Sequence, residues 1–179
     1  MKNYLSKPTF EVFIDVNKAL CDKKYFNELK KKTKDVFIDE VINPNSMNIL
    51  NNFLSKLNEK YFIDLIITSQ DSLYAENLLT RNNFNRENVR VVDYLFSDDS
   101  KKSNDIEHYL TMLKKDKDPL KIHNFIIFDD CSVKLSNHLA NHLVYSNFNS
   151  QPITAESISI TLNKILQEQD ENISNDLSL

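Results

Sequence analysis

Residues 10–20 read FEVFIDVNKAL, and the change of character at Asp15 within them decides the fold. Phe10–Ile14 is a short run rich in aromatic and β-branched residues, the signature of a strand covered on both faces in the middle of a parallel sheet. Four more runs share it: FIDLIIT (62–68), VRVVDY (89–94), NFIIFD (124–129) and HLVYS (142–146). Amphipathic segments alternate with them. Met47, Leu50, Leu54 and Leu57 recur at three and four residues within 45–61, and Leu73, Leu78 and Leu79 do so within 71–83. The stretches 104–115, 131–142 and 154–167 follow the same rule, with Thr154 and Glu156 or Ser157 opening the last helix. This alternation predicts an α/β protein: a three-layer α/β/α sandwich around an open, mostly parallel, five-stranded, Rossmann-like sheet.

The chain has 179 residues and no glycine, where average usage would place about a dozen. Without glycine neither a G-x-G-x-x-G dinucleotide fingerprint nor a P-loop can be written, because both press backbone against a phosphate. The 23 Asn and 19 Lys against 3 Arg are the pattern of an AT-rich coding sequence, which also depletes glycine codons. The size suits one core able to bury roughly 70% of the unfolded surface, and residues 1–166 read as a single domain. A net charge of −4 from 22 basic and 26 acidic residues offers no broad positive field for nucleic acid. No apolar run approaches the 18 or so residues of a membrane span, and no signal-peptide core opens the chain. Cys21 and Cys131 are too few for a disulfide framework and suit a reducing compartment. The expected location is the cytoplasm, or another cell's cytosol reached by specialised secretion.

In open α/β sheets ligands bind beyond the carboxyl ends of the strands, where the strand order reverses. The residues there are Asp15 with Asn17, Thr68 with Ser69, the Lys101–Lys102 pair, and Asp129 with Asp130. Carboxylates hold a hard cation that also binds phosphate oxygens. A hydroxyl and a lysine donate to the remaining oxygens, and one carboxylate can attack phosphorus. The set outlines a phosphate-and-magnesium site.

On these residues the chain resembles the haloacid dehalogenase-like (HAD) phosphohydrolases over about residues 10–165. VFIDVNKAL is similar to that family's first motif, LIITSQ to its second, KKSNDIEHYL to its third and FIIFDDCS to its fourth. The closing HLVYSNFNSQPITAESISITLNKIL resembles the end of a small-cap subfamily found in RNA-repair proteins. The resemblance implies that Asp15 is a nucleophile forming an aspartyl-phosphate, and that Thr68, or failing it Ser69, binds the transferring phosphoryl group. It further implies that Lys102, or alternatively Lys101, neutralises nucleophile and phosphate. Asp129, with Asp130 as helper or second ligand, would hold Mg²⁺ together with the Asp15 carboxylate and the Asn17 backbone carbonyl. Two-component receiver domains use similar residue types in a different order along the chain, with the acidic pair after the first strand and the lysine after the last.

Asn17 departs from the family pattern. Family phosphatases carry Asp there to protonate the leaving oxygen and activate water, which Asn cannot do; general acid–base catalysis contributes about 10²–10⁴-fold. A phenolic leaving group, with a pKa near 10, needs that help least, so aryl or tyrosine phosphate is the favoured substrate. Between Asp15 and Thr68 only residues 21–44 are left for a cap, room for a small flap. An open site suits a macromolecular partner such as a phosphoprotein, and the lysines at 23, 24, 30, 31, 32 and 34 could steer an acidic phosphopeptide. The expected function is Mg²⁺-dependent phosphomonoester hydrolysis; the alternative is a catalytically weakened HAD-fold binding or interaction module. His138 and His142 stand i, i+4 but lack a third ligand and read as surface histidines. Cys21 and Cys131 follow motif aspartates closely without a basic partner to activate them. Residues 167–179, acidic and without apolar period, read as a disordered tail or a linker to a further C-terminal domain.

Overall fold

The computed structural model describes residues 7–33, 41–69, 71–92, 96, 101–115, 124–130, 134–149 and 152–176. Five strands, β1 (Thr9–Ile14), β2 (Phe62–Ile67), β3 (Val89–Val92), β4 (Asn124–Asp129) and β5 (Leu143–Tyr145), form one sheet in the order β3-β2-β1-β4-β5. Every pairing is parallel, so the expected mostly parallel Rossmann-like sheet is wholly parallel. The order reverses at β1, whose neighbours are β2 and β4.

Seven helices accompany the strands: α1 (Val16–Leu20), α2 (Lys23–Lys32), α3 (Pro44–Asn58), α4 (Ser72–Arg81), α5 (Lys102–Lys115), α6 (Asn137–Ala140) and α7 (Ala155–Asp176). Alternation along the strands builds two cores. Phe10, Val12 and Ile14 of β1, with Ile63, Leu65, Ile67, Ile126 and Phe128, pack against α1, α3, α4 and α7. Phe13, Ile66, Phe125 and Ile127 point the other way, against Ile106, Tyr109 and Leu110 of α5 and Leu139 of α6. These are the three layers the sequence predicts.

Asparagine takes over what glycine usually does. Asn83 (φ 61°) and Asn88 (φ 58°) hold the left-handed conformation, which Asn tolerates better than most residues. Asn83 follows the Asn82 cap of α4, and the Phe84 amide returns to the Leu79 carbonyl at 3.2 Å, closing the helix with a glycine-type turn. At the other helical end read from sequence, Thr154 Oγ1 accepts the Ser157 amide at 3.0 Å and caps α7.

Four expectations change. The stretch 131–142 is no continuous helix: α6 has four residues, and Ser136, its N-cap, is drawn to α5 by bonds to Ser103 and Glu107. His142 is not a surface residue; it is buried, stacked on Phe125 at 3.8 Å between ring centroids, with Nδ1 2.8 Å from the Phe125 carbonyl. Leu73 points to solvent, while Ala75, Leu78 and Leu79 form the buried stripe of α4. Residues 167–176 continue α7 instead of beginning a disordered tail, because extending an established helix fixes one residue per added hydrogen bond, without the cost of a new nucleus. No helix among the described residues is long and apolar enough to cross a membrane.

Candidate functional site

Parallel register brings the strand ends together. The Asp15 amide donates to the Phe128 carbonyl at 2.9 Å and the Thr68 amide to the Ile14 carbonyl at 2.8 Å, so the ladder continues one residue past β1 and β2. Asp15, Thr68 and Asp129 share the parity of Phe13, Ile66 and Ile127, and therefore lie on the α5 side of the sheet. Lys102, the first residue of α5, belongs to the same helical stripe as Ile106, Tyr109 and Leu110. Its ammonium is delivered to the acids: Nζ is 2.9 Å from Asp15 Oδ2 and 2.8 Å from Asp129 Oδ2. Lys101 is exposed outside the helix, so of the two lysines it is Lys102 that reaches the acids.

Lys102 is 1% exposed and Asp129 0%. A lysine this deep is costly unless paired, and here two carboxylates share it. Burial alone would lower its pKa; Asp15 and Asp129 outweigh burial and hold the ammonium well above the ordinary lysine value. Burial pushes the Asp129 carboxyl upward against the pull of Lys102, and the neighbouring Asp15 adds to the rise.

Asp15 is oriented from several sides. It caps α1, its Oδ1 accepting the Lys18 amide at 3.2 Å and the Ser69 hydroxyl at 3.4 Å. Ser69 Oγ also accepts the Val16 amide at 3.1 Å, so this serine braces Asp15 and the start of α1. Thr68 Oγ1 and Asn17 Oδ1 are buried with no hydrogen-bond partner among the described residues. Buried polar groups normally find a partner; the Thr68 hydroxyl is free to donate to an anion's oxygen, whereas the Asn17 amide oxygen can only accept.

Lys18 and Ser146 join the site without having been singled out for it. Lys18 Nζ lies 3.8 Å from Asp15 Oδ2, 3.4 Å from Asp129 Oδ1 and 3.5 Å from Asp130 Oδ1. Its i, i+3 spacing from Asp15 at the start of a helix was the available signal. Ser146, one residue past β5, donates to the Lys18 carbonyl at 3.1 Å and to the Asp129 carbonyl at 3.3 Å, tying α1 to β4.

The Mg²⁺ expected from the resemblance can be tested against this donor set. Its proposed carboxylates, those of Asp15, Asp129 and Asp130, converge on the Lys18 ammonium, and the Asn17 carbonyl accepts the Cys21 amide at 3.3 Å as α1 closes. Among the described residues no group of three or more His, Cys, Asp or Glu side chains is arranged to hold a metal ion. As arranged, the residues do not fit Mg²⁺. Cys21 is buried and its backbone pairs with Ile42 at the base of the 21–44 segment; Cys131 and Lys34 lie outside the described residues. No family model matches this chain, and neither does any curated protein or solved structure.

Proposed function

We propose that the chain is a HAD-type phosphomonoester hydrolase working through an aspartyl-phosphate on Asp15, with aryl phosphates, including phosphotyrosine in a protein, as its substrates. One observation carries this reading: a buried lysine bridges Asp15 and Asp129 at adjacent strand ends beside an unsatisfied Thr68 hydroxyl. Asp15 attacks phosphorus, the P–O bond to the phenol breaks, and the phenolate leaves with the bonding electrons. Water then attacks the acyl phosphate, restoring the carboxylate; one of its protons ends on the phenolate and the other stays with inorganic phosphate. Lys102 offsets charge at the nucleophile, and Thr68 Oγ1 donates to an equatorial oxygen, the electrostatic positioning on which phosphoryl transfer depends. Asn17 offers its amide as a donor and moves no proton. Exposed lysines 23, 24, 30, 31 and 32 on α2, which closely follows α1, suit an acidic phosphoprotein.

Hydrolysis of p-nitrophenyl phosphate, lost in Asp15→Asn, is the expected result, with an alkyl phosphate turned over at least about tenfold more slowly, given the leaving-group help that Asn17 cannot supply. Equal rates for the two esters would remove the aryl preference. A second reading, a binding module that recognises a phosphorylated partner without turnover, is favoured by Asn17 and by the Lys18 ammonium among the acids. Phosphopeptide binding without hydrolysis would select it.

A further inference from the structure

We infer that Lys18 is the resident cation of this site: its ammonium stands where a divalent ion would bridge Asp15, Asp129 and Asp130, so the site handles phosphate esters without a metal. The inference rests on the phosphate-ester reading above and sharpens it. Three observations support it. First, Lys18 Nζ faces a carboxylate oxygen of each of the three aspartates at 3.4–3.8 Å, whereas Lys102 bridges Asp15 and Asp129 from the buried side. Second, the residue that carries the ammonium is anchored through its backbone. The Lys18 amide donates to Asp15, its carbonyl accepts from Ser146, and α1 fixes the residue one helical turn above the nucleophile. Third, among the described residues three carboxylates meet two ammonium groups, so most of the acidic charge is offset by lysines of the chain itself.

The Lys18 side chain is 20% exposed while that of Lys102 is 1% exposed, so Lys18 is the cation that an entering phosphate meets. Its ammonium can donate to a phosphoryl oxygen without leaving the acids, doing with a point charge what a metal does by coordination. A divalent ion bound to the same carboxylates at about 2.0–2.1 Å would stand close to this ammonium. Either the ion stays out or Lys18 swings away.

The test is a Mg²⁺ titration of the whole chain, followed by calorimetry and thermal unfolding, for the wild type and for Lys18→Met and Lys18→Gln. Both variants should bind Mg²⁺ at least about thirtyfold more tightly than the wild type, the Boltzmann weight of a 2+/1+ repulsion at about 4 Å even in the dielectric of bulk water. Adding Asp130→Asn to Lys18→Met should abolish the gain, which places the ion in this cluster. In parallel, chelator-treated wild type should keep its p-nitrophenyl phosphate turnover, or its binding of inorganic phosphate, within about twofold of the Mg²⁺-supplemented value.

Wild type that binds Mg²⁺ as tightly as the lysine variants, or loses turnover and phosphate binding together on chelation, overturns the inference. If neither variant folds, submillimolar Mg²⁺ binding by the wild type overturns it and the absence of such binding supports it. A protein that turns over no ester and binds no phosphate brings down the phosphatase reading, while the titration still decides whether Lys18 excludes the ion.

Discussion

At the carboxyl ends of β1 and β4, Lys102 is sealed between Asp15 and Asp129; halfway along the same sheet, Asp64 of β2 pairs with Arg90 of β3, whose side chain is 73% exposed. Parallel register makes both. Glu11, Asp64 and Arg90 stand opposite one another on three adjacent strands, just as Asp15, one residue past β1, stands level with Asp129, the last residue of β4. In the middle of the sheet the guanidinium forks onto the carboxylate, Nε to Oδ1 at 2.8 Å with Nη2 on Oδ2, and this bidentate bond raises the Arg90 pKa. That pair satisfies itself and leaves its cation in water. The strand-end cluster buries its cation, shares it between two acids and keeps Thr68 Oγ1 unsatisfied beside them. The first arrangement offsets the cost of an acid in a strand with a solvated cation; the second concentrates charge at the strand ends beside an open hydroxyl.

Removing a cation from each place should separate them most widely. Lys102→Met takes the closer, hydrogen-bonded cation from two buried carboxylates, leaving them the longer contacts to Lys18, and is expected to cost about 3–5 kcal/mol of unfolding free energy in urea titration, with loss of ester turnover. Arg90→Met removes a cation that stands mostly in water from the buried Asp64 and is expected to cost about 1.5–3 kcal/mol, the range for a hydrogen bond to a charged group, with turnover unchanged. Comparable losses, or a loss of turnover in Arg90→Met, would break the comparison.

The same two variants differ in pH dependence. A lysine whose folded pKa is raised adds stability that is complete below its unfolded value of about 10.4 and is lost as pH rises from there through the folded value. The stability gap between wild type and Lys102→Met should therefore hold constant from pH 7 to about 10 and shrink above it. The gap for Arg90→Met should stay flat over that range, since arginine does not titrate there. Denaturant titrations at pH 7, 9, 10 and 11 check both.

The smallest expected effect is the most selective. Thr68→Val replaces an unsatisfied buried hydroxyl with a methyl of similar shape, so stability should stay within about 1 kcal/mol of wild type or rise, while inorganic phosphate binds several-fold more weakly. A marked loss of stability would mean that the hydroxyl serves the fold and not a ligand.

Much of the candidate site was legible because strand ends announce themselves. Asp15, Thr68 and Asp129 each terminate a short apolar run, and the spacing of Lys102 to Ile106 places it on the buried stripe of α5. Lys18 was legible by its i, i+3 spacing from Asp15 at a helix start, but not as a cation aimed at three acids, since that depends on where α1 and β4 meet. The Glu11–Asp64–Arg90 row was invisible, because isolated charges in apolar runs carry no sign of which strand lies alongside. His142 looked like a helix-surface residue until α6 proved to end two residues before it and the chain turned its ring onto Phe125.

Sequence by itself determined the elements of this protein, the two faces of each strand and the acids and hydroxyls at the strand ends, because those follow from periodicities of 2 and 3.6 that neighbouring residues set. It also determined the exclusion of glycine-built phosphate cradles. The tertiary structure alone decided that β1 lies between β2 and β4, that Lys102 and not Lys101 reaches the acids, and that the Lys18 ammonium meets three aspartates. Those outcomes depend on contacts between residues from 27 to more than 100 positions apart, whose geometry exists only once the sheet has closed.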